Sequence, residues 1–275
     1  MHDINPYTRD YFFNECEGYE TFLSSKGLKL SRRLLKIYRK IIELKPKRVL
    51  DFGCGRGELS LNLGLSWIET YGVDISDDAI SISNEIKNYW IKTNPDLKLN
   101  FIKIDGKKLP FEDNFFDAVV MSDVIEHLRD DEILEVLSEI RRVLKKDGNI
   151  LIHTSPNKIF INFGLKIYWI VGFIDGIKLP FNMKDKLPEG LKDRYHINEQ
   201  TSFSIKRYLK KNGFNDIKIE FWKNPHYVYY FLKDDKYIRK LNFIYKFLPI
   251  KHLFFADIFA TAKNNNTKTR TNLMN

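Results

Sequence analysis

Cysteine is scarce in this chain: only Cys16 and Cys54 occur, and they lie far apart in the sequence. Disulfide-stapled scaffolds and cysteine-rich zinc folds need several cysteines at short, regular spacings, so the sequence excludes both classes. The six histidines are scattered and show no ligand spacing, and we therefore expect no metal. Free thiols are typical of a reducing compartment, which predicts a cytoplasmic protein.

Long apolar runs are also missing. The most apolar stretch, residues 167–174, is far shorter than the roughly 18–20 apolar residues of a membrane-spanning helix. The first residues, Met1 to Ile4, lack the basic and apolar pattern of a secretory leader. With 275 residues, of which 43% are hydrophobic, the chain can bury the core of one large α/β domain with insertions.

A third absence concerns nucleotide binding. The dinucleotide fingerprint is G-x-G-x-x-G after a strand, but here Gly53 and Gly55 are followed by Glu58 where the last glycine is needed. A carboxylate at that position would repel a pyrophosphate. Asp51 adds a second acidic side chain at the end of the strand. The turn therefore favours a ligand with positive charge over NAD.

The residues that are present form a complete motif. An apolar strand leads into the run from Asp51 to Gly57, DFGCGRG, and a helical pattern follows. Glycines let the backbone turn sharply and approach a ligand, and the next helix directs its first amides toward it. This run resembles the D/E-x-G-x-G-x-G motif of the class I S-adenosylmethionine-dependent methyltransferases. The resemblance implies a Rossmann-like methyltransferase fold, that is, a doubly wound α/β fold with a mostly parallel seven-stranded sheet. It also implies S-adenosylmethionine as the cofactor, held by Asp51, Gly53, Cys54, Gly55 and Gly57.

Three further strand ends carry residues that the same family uses. A second strand ends at Asp74, a third at the pair Asp105-Gly106, and a buried fourth at Ser122. The resemblance assigns Asp74, with Ile75 beside it, to the adenosyl ribose, and Asp105 with Gly106 to the adenine ring. It places Ser122 at the cofactor edge of the sheet. An Asp-Gly pair also forms turns without any ligand, so that alternative stays open.

The pair Glu126-His127 after the fourth strand narrows the resemblance to quinone-biosynthesis-like and related small-molecule methyltransferases, the type 11 branch. The Asn/Asp-Pro-Pro-aromatic motif of enzymes that methylate the amino groups of bases is missing there. His127 is the best placed general base for a hydroxyl nucleophile, and a polar wall of the substrate pocket is its alternative role. His196 is the second catalytic candidate, although its position before a predicted helix cap, Asn198-Glu199, suits a structural role equally well.

The chain divides into three parts. Residues 1–47 are predicted to form N-terminal cover helices, residues 48–263 the methyltransferase domain, and residues 264–275 a polar, disordered tail. Helical and aromatic insertions interrupt the domain at about residues 156–195 and 223–253. Hydrophobic periodicity and stop signals predict the remaining elements: helices over residues 31–44, 58–65, 77–92, 130–145 and 199–212, a break at 146–148, and strands over 149–155, 215–222 and 256–263, the last antiparallel.

Charge is distributed unevenly. Residues 156–275 hold 22 Lys and Arg against 10 Asp and Glu, whereas residues 1–155 hold 23 against 26, so the whole positive surplus of the net charge of +9 comes from the later part of the chain. The two insertions are rich in aromatic residues and are predicted to form one lid over the carboxyl edge of the sheet. An aromatic and basic surface also suits peripheral contact with a membrane. A lysine-rich solvated surface is the simpler explanation of the charge.

Three functions remain open. The first is methyl transfer to oxygen or carbon of a small-molecule, glycan or lipid-linked acceptor. The second is RNA methylation, which only the basic C-terminal part suggests, so a nucleic-acid partner is not expected. The third is a non-catalytic binding module, which the intact motif residues argue against.

Overall fold

A seven-stranded sheet organises the part of the chain that the computed structural model describes, namely residues 6–16, 18–106, 108–174, 195–222, 253 and 255–265. Its strands are β1 Arg48–Phe52, β2 Glu69–Asp74, β3 Leu99–Lys103, β4 Phe116–Ser122, β5 Leu144–Thr154, β6 Asn215–Trp222 and β7 Asp257–Lys263. Their order is β3-β2-β1-β4-β5-β7-β6. β7 is antiparallel to both of its neighbours, and the other pairings are parallel. The predicted fold class is confirmed.

Helices cover both faces of this sheet. They are α1 Tyr19–Ser25, α2 Arg32–Glu43, α3 Glu58–Leu65, α4 Asp77–Trp90, α5 Asp130–Val143, α6 Leu165–Ile174 and α7 Ser202–Lys211. Two π-helical segments, Tyr11–Glu15 and Phe160–Gly164, and a 3₁₀ turn, Ile125–His127, complete the described elements. The predicted helix over residues 31–44 is confirmed as α2, which begins where the Ser31 hydroxyl accepts a hydrogen bond from the Leu34 amide at 3.3 Å.

The core lies on both sides of the central strands. On β4, Val120 belongs to an apolar cluster that includes Ile37 of α2, whereas Val119 belongs to a second cluster that includes Ile140 of α5. Successive residues of a strand point to opposite faces, so a strand that is covered on both sides reads as one apolar run. This is the reason that residues 118–121 contain no polar residue.

The order of the strands reverses beside β1. This strand pairs with β2 on one side and with β4 on the other, both in parallel. In an open α/β sheet, the crevice outside the carboxyl ends of the strands at such a reversal is the usual ligand-binding site. The residues that follow β1, β2 and β4 therefore lie where a ligand is expected.

Two predicted boundaries are wrong. The sequence predicts a helix to residue 145 and a break at 146–148, but α5 ends at Val143 and β5 begins at Leu144. Leu144 is fully buried and pairs with Phe116, after which the strand register shifts. The turn-forming residues produce this irregularity within β5, where Asp147 has a φ of +63°.

The second wrong boundary is the start of α7. Thr201, rather than the Asn198-Glu199 pair, caps this helix, since its side chain accepts a hydrogen bond from the Ser204 amide at 3.0 Å. The Asn198 amide instead donates to the Leu128 carbonyl at 3.0 Å and to Asp130 at 2.9 Å. The Asn198 side chain therefore makes tertiary contacts and does not cap α7.

The insertions lie partly outside the described residues. The first begins with the π-helical segment Phe160–Gly164 and α6, and residues 175–194 and 223–252 are not described. The described ends of the two insertions meet where Gly164 lies against Leu253. Just beyond the second insertion, the Ala256 carbonyl accepts a hydrogen bond from the Asn157 amide at 2.6 Å. The predicted shared lid otherwise falls on residues that the structure does not describe.

Two further expectations concern the membrane and the tail. Among the described helices, none is long and apolar enough to cross a membrane. Asn264, which the sequence assigned to the tail, is fully buried and donates hydrogen bonds to the carbonyls of Arg141 and Leu144. The ordered chain therefore extends beyond β7, and residues 266–275 lie outside the described part.

Candidate active site

The glycine turn after β1 is built around the end of β2. The amides of Gly53 and Cys54 both donate to the Val73 carbonyl, at 2.8 and 3.0 Å. Gly53 has a φ of +76°, and a Cβ on it would overlap with the Val124 side chain. A side chain at this position is excluded both by the backbone conformation and by the neighbouring residue. The turn therefore packs directly against the loop that follows β4.

Asp51 lies behind this turn rather than on its open side. Its side chain is almost fully buried and accepts a hydrogen bond from the Ser60 hydroxyl at 2.6 Å. Burial raises the pKa of Asp51 to about 7. A carboxyl in this place stabilises the link between β1 and α3, and its predicted contact with the cofactor stays a prediction.

Asp74 connects the end of β2 to the turn. One carboxylate oxygen accepts a hydrogen bond from the Gly55 amide at 2.9 Å, and the other accepts from the Ser76 amide at 2.9 Å. Burial raises the pKa of Asp74, while the two amides oppose this rise. The carboxylate thus lies against the turn at the edge where the motif predicts a ribose.

Arg56 changes the charge of the turn. Its guanidinium donates to both carboxylate oxygens of Glu58, at 3.1 and 3.2 Å, and both residues are buried. Burial raises the pKa of Glu58, and the charge of Arg56 opposes that rise. The expected repulsion between Glu58 and an anion is therefore weaker than the sequence suggested, because Arg56 neutralises the carboxylate.

The predicted adenine side contains an exposed apolar residue. Ile75 directly follows β2 and is 42% exposed. Gly106 lies beside it, and a Cβ added to Gly106 would lie 3.2 Å from the Cγ2 atom of Ile75. Asp105 is exposed and accepts a hydrogen bond from the Lys108 amide at 3.2 Å. The three residues lie at the same edge, in an arrangement that can cover the face of a flat ring.

The N-terminal segment lies over the turn. Phe12 is buried against Gly55, and its carbonyl accepts a hydrogen bond from Arg56 at 3.0 Å. The Tyr7 carbonyl accepts from the Ser76 hydroxyl at 2.5 Å, and the Arg9 guanidinium binds Glu85 of α4 with two hydrogen bonds of 2.9 and 2.8 Å. These contacts hold an aromatic cover above the predicted cofactor site.

An aromatic cluster joins this cover to the predicted catalytic residues. The rings of His127 and His196 lie 4.8 Å apart, and the Tyr7 ring lies 5.7 Å from that of His127. Tyr195 lies 5.8 Å from Tyr7 and 5.7 Å from Tyr11. The structure thus brings together both histidines that the sequence singled out, beside the cofactor edge of the sheet.

A buried charge network lies behind this cluster. His153 of β5 is fully buried between two carboxylates, with Nδ1 2.9 Å from Asp123 and Nε2 2.9 Å from Asp257. Burial alone lowers the pKa of His153, but Asp123 and Asp257 raise it to about 9. Burial raises the pKa of Asp123, yet the charges of Arg33 and His153 hold it below its usual range. His153 is therefore protonated and balances the buried acids.

Glu126 is the other buried acid at this edge. It is fully buried, and one carboxylate oxygen accepts a hydrogen bond from the Thr154 hydroxyl at 3.0 Å. Burial, reinforced by the charge of Asp123, raises the pKa of Glu126 to about 8. The sequence leaves two roles open for Glu126, either orienting His127 or facing solvent, and its burial shows that the second is wrong.

Several residues of the site were missed from the sequence. Tyr7 and Tyr195 contact the histidines, but one aromatic residue among many gives no signal of its own. His153 had a usable signal, because it is a titratable residue that directly follows the apolar run Ile150 to Ile152 of β5. Ser122 was predicted to bind the cofactor, whereas its hydroxyl donates to Asp123 at 3.0 Å. The predicted roles in binding and catalysis stay predictions.

The arrangement described above is that of a known family. A family model described as a methyltransferase domain matches residues 20–219. The chain belongs to this methyltransferase family. The chain is 33% identical over 171 residues to demethylmenaquinone methyltransferase of Symbiobacterium thermophilum, covering 59% of this chain and 65% of the relative. It is 29% identical to ubiquinone biosynthesis O-methyltransferase of Haemophilus ducreyi, covering 65% and 73%.

A solved methyltransferase structure shows the same architecture over most of the chain. A SAM-dependent methyltransferase from Archaeoglobus fulgidus superposes with a TM-score of 0.55 at 27% identity, covering 88% of this chain and 99% of that one. The chain spans less than two thirds of the length of the first curated relatives that it matches. Membership of the methyltransferase family therefore defines the fold, and the acceptor has to be argued from the site.

Proposed function

We propose that this protein transfers a methyl group from S-adenosylmethionine to oxygen or carbon of a small-molecule acceptor. The observation that carries the proposal is Asp74, a buried carboxylate that lies against a glycine turn at the reversal point of the sheet. A carboxylate at the end of β2 can accept hydrogen bonds from both hydroxyls of a ribose. Family membership and the similarity to the Archaeoglobus fulgidus enzyme support the same cofactor.

The residues present fit this cofactor. Gly53 and Gly55 leave the turn without side chains, and Ile75 offers an apolar surface beside Gly106. When bound, S-adenosylmethionine supplies a methyl group on a positively charged sulfur. The chain itself has to orient the acceptor, exclude water and manage the proton that leaves the acceptor.

The two histidines are the groups that can act on the acceptor. His127 and His196 lie side by side under Tyr7, whose carbonyl is bonded to Ser76 on the cofactor side. An imidazole can itself accept the acceptor's proton near neutral pH, or it can hold in place another group that accepts this proton. We therefore place the acceptor against this pair, with the aromatic rings of the cover excluding water.

The nature of the acceptor is proposed from its surroundings and from the relatives. The relatives are named for quinone biosynthesis, and the rings of Tyr7, Tyr11 and Tyr195 suit a flat or apolar acceptor. The basic charge of residues 156–275 supports an extension of the proposal to glycan or lipid-linked acceptors that are anionic or lie at a membrane surface.

Calorimetry measures which cofactor the protein binds and how tightly. We expect S-adenosylmethionine and S-adenosylhomocysteine to bind, and NAD not to bind. Asp74→Ala should weaken cofactor binding by about 1–3 kcal/mol, because a hydrogen-bonding partner with charge is lost. Asp77→Ala is the matched control, since this exposed acid lies three residues away, at the start of α4, and pairs with Lys103. Binding of NAD in place of S-adenosylmethionine would refute the proposal.

Transfer of label identifies the acceptor. The protein is incubated with S-adenosylmethionine carrying a labelled methyl group, together with lipid, glycan, quinone or RNA fractions. We expect the label in a small-molecule or lipid fraction. Uptake by RNA would favour the second function that the sequence left open, and binding without uptake in any fraction would favour a non-catalytic module.

A further inference from the structure

We propose that Glu126, His127 and His196 form a binding site for a divalent transition-metal ion, of the Zn²⁺ or Fe²⁺ type. One ligand atom from each of the three side chains lies within 4.8 Å of the other two. The three residues come from the 3₁₀ turn after β4 and from the segment before α7. The scattered histidines of the sequence had predicted no metal, because two of these ligands are brought together only by the fold.

The buried carboxylate is the first argument. Thr154 donates to one oxygen of Glu126, whereas the other oxygen is buried and has no hydrogen-bond partner among the described residues. A buried carboxylate oxygen without a partner is costly, and a cation offsets that cost. The neighbouring acid, Asp123, cannot serve as a proton source for it, because Asp123 is already paired with His153 and Arg33.

The orientation of His127 is the second argument. Its Nδ1 lies 3.1 Å from the carbonyl oxygen of Tyr195. A carbonyl can only accept, so Nδ1 carries the proton and Nε2 carries the lone pair. A histidine that binds a metal commonly donates its other nitrogen to a backbone carbonyl in this way. Tyr195 directly precedes His196, so one short segment both orients His127 and supplies a further ligand.

The chemistry of the donors selects the metal. Two imidazoles and one carboxylate suit Zn²⁺ and Fe²⁺, whereas Mg²⁺ and Ca²⁺ prefer oxygen donors alone. Bonds of about 2.0–2.2 Å require the three atoms to approach one another more closely than they do here. His196 is only partly buried, and its ring can make most of that movement.

The position of the site gives the ion a role that rests on the proposed function. The cluster lies under Tyr7, beside the loop whose Val124 packs on Gly53 of the cofactor turn. Three protein ligands leave coordination positions open for an acceptor hydroxyl. A bound ion would orient that hydroxyl and lower its pKa, so that it loses its proton near neutral pH.

Metal binding can be measured without any methyl transfer. Tag-free full-length protein is dialysed against a chelator and titrated with Co²⁺, whose visible absorption reports nitrogen and oxygen coordination. We expect the protein to bind one equivalent of Co²⁺ and Zn²⁺ to displace the bound Co²⁺. The variants Glu126→Gln and His196→Ala should each weaken Co²⁺ binding about 10-fold or more. Glu135→Gln is the matched control, because it removes an exposed carboxylate from α5.

Two results would overturn the site. One is the absence of a Co²⁺ spectrum in the wild type. The other is unchanged Co²⁺ affinity in both variants, of which His196→Ala alters a partly exposed side chain and leaves the core intact. Calorimetry with S-adenosylmethionine on the same metal-free sample separates the two proposals: cofactor binding without Co²⁺ binding refutes only the metal site, and the reverse refutes only the proposed function.

Discussion

Single residues at the carboxyl edge of the sheet have very different tolerance for change, and Gly53 has the least. Its φ of +76° is unfavourable for any side chain, and the added Cβ would also overlap with Val124. Relief of that overlap would push the loop with Glu126 and His127 away from the cofactor turn. The position therefore links the two halves of the site sterically.

We expect Gly53→Ala to weaken S-adenosylmethionine binding at least 10-fold, by about 1.4 kcal/mol or more. Gly27→Ala is the matched control: Gly27 has a φ of +77°, but its nearest neighbours would be 3.4 Å from a Cβ. The control carries the same conformational strain without the collision. Calorimetry and thermal unfolding of both variants provide the comparison, and equal cofactor affinities in the two would contradict the steric argument.

His127 should matter for turnover rather than for cofactor binding. Its ring contacts Tyr7 and His196, where we propose that the acceptor binds. His127→Ala should lower kcat about 100-fold or more and leave the Kd for S-adenosylmethionine nearly unchanged. Single-turnover kinetics with the identified acceptor measure the first quantity, and calorimetry measures the second. Wild-type turnover in the variant would remove His127 from the chemistry.

At the scale of the elements, the buried charge network around His153 links α2 to three strands of the sheet. It connects Asp123 after β4, His153 in β5, Asp257 at the start of β7 and Arg33 in α2. Within the described part of the chain, no backbone hydrogen bond ties α2 to β4, β5 or β7. The ion pairs therefore supply a directional contact where apolar packing is non-directional. The network thus helps to position the loop that carries Glu126 and His127.

This buried charge network should make the free energy of unfolding depend on pH. The pKa of His153 rises from 6.5 to about 9 in the folded protein, which corresponds to on the order of 3 kcal/mol. Because the folded pKa is raised, this stabilisation is complete below about pH 6.5 and is lost as the pH rises through about 9. Urea unfolding between pH 6 and 9.5 measures it.

Asp257→Asn is the informative variant for that measurement. It removes one of the two carboxylates that raise the pKa of His153 and keeps the shape of the side chain. The loss of stability should then begin at a lower pH than in the wild type. Parallel stability curves for the two proteins would show that His153 is not the titrating group.

The elements differ in how well the sequence predicts them. α3 and β6 occupy the predicted residues, because their apolar periodicity and turn signals agree. β5 was predicted too short, because Lys146 to Gly148 has the composition of a turn but lies within a strand as a bulge. The start of α7 was displaced, because Asn198 bonds to residues that are distant in the sequence.

The residues of the candidate site also differ in how well the sequence predicts them. The glycine turn and Asp74 were predictable, because they belong to one local motif and to the strand that follows it. The pairing of His127 with His196, the burial of Glu126 and the role of Arg56 as a counterion depend on tertiary contacts. No local pattern in the sequence encodes them.

At the scale of the whole molecule, the uneven charge allows a test of membrane contact. Residues 156–275 carry 22 basic and 10 acidic residues. If this part contacts membranes, the protein should sediment with vesicles that contain phosphatidylserine at low salt and be released at high salt. Vesicles of phosphatidylcholine alone are the control. Absence from the anionic vesicles at low salt would remove membrane contact from the proposal and leave methyl transfer unaffected.

Tyr7 contacts both halves of the site at once, with its carbonyl on Ser76 and its ring against His127. A ligand in either half that orders Tyr7 reduces the entropy that the second ligand must overcome. Thermodynamic linkage requires this effect to be reciprocal, so cofactor and acceptor must raise each other's affinity by the same factor. The protein would then hold the acceptor more tightly when a cofactor is bound than when the cofactor half of the site is empty.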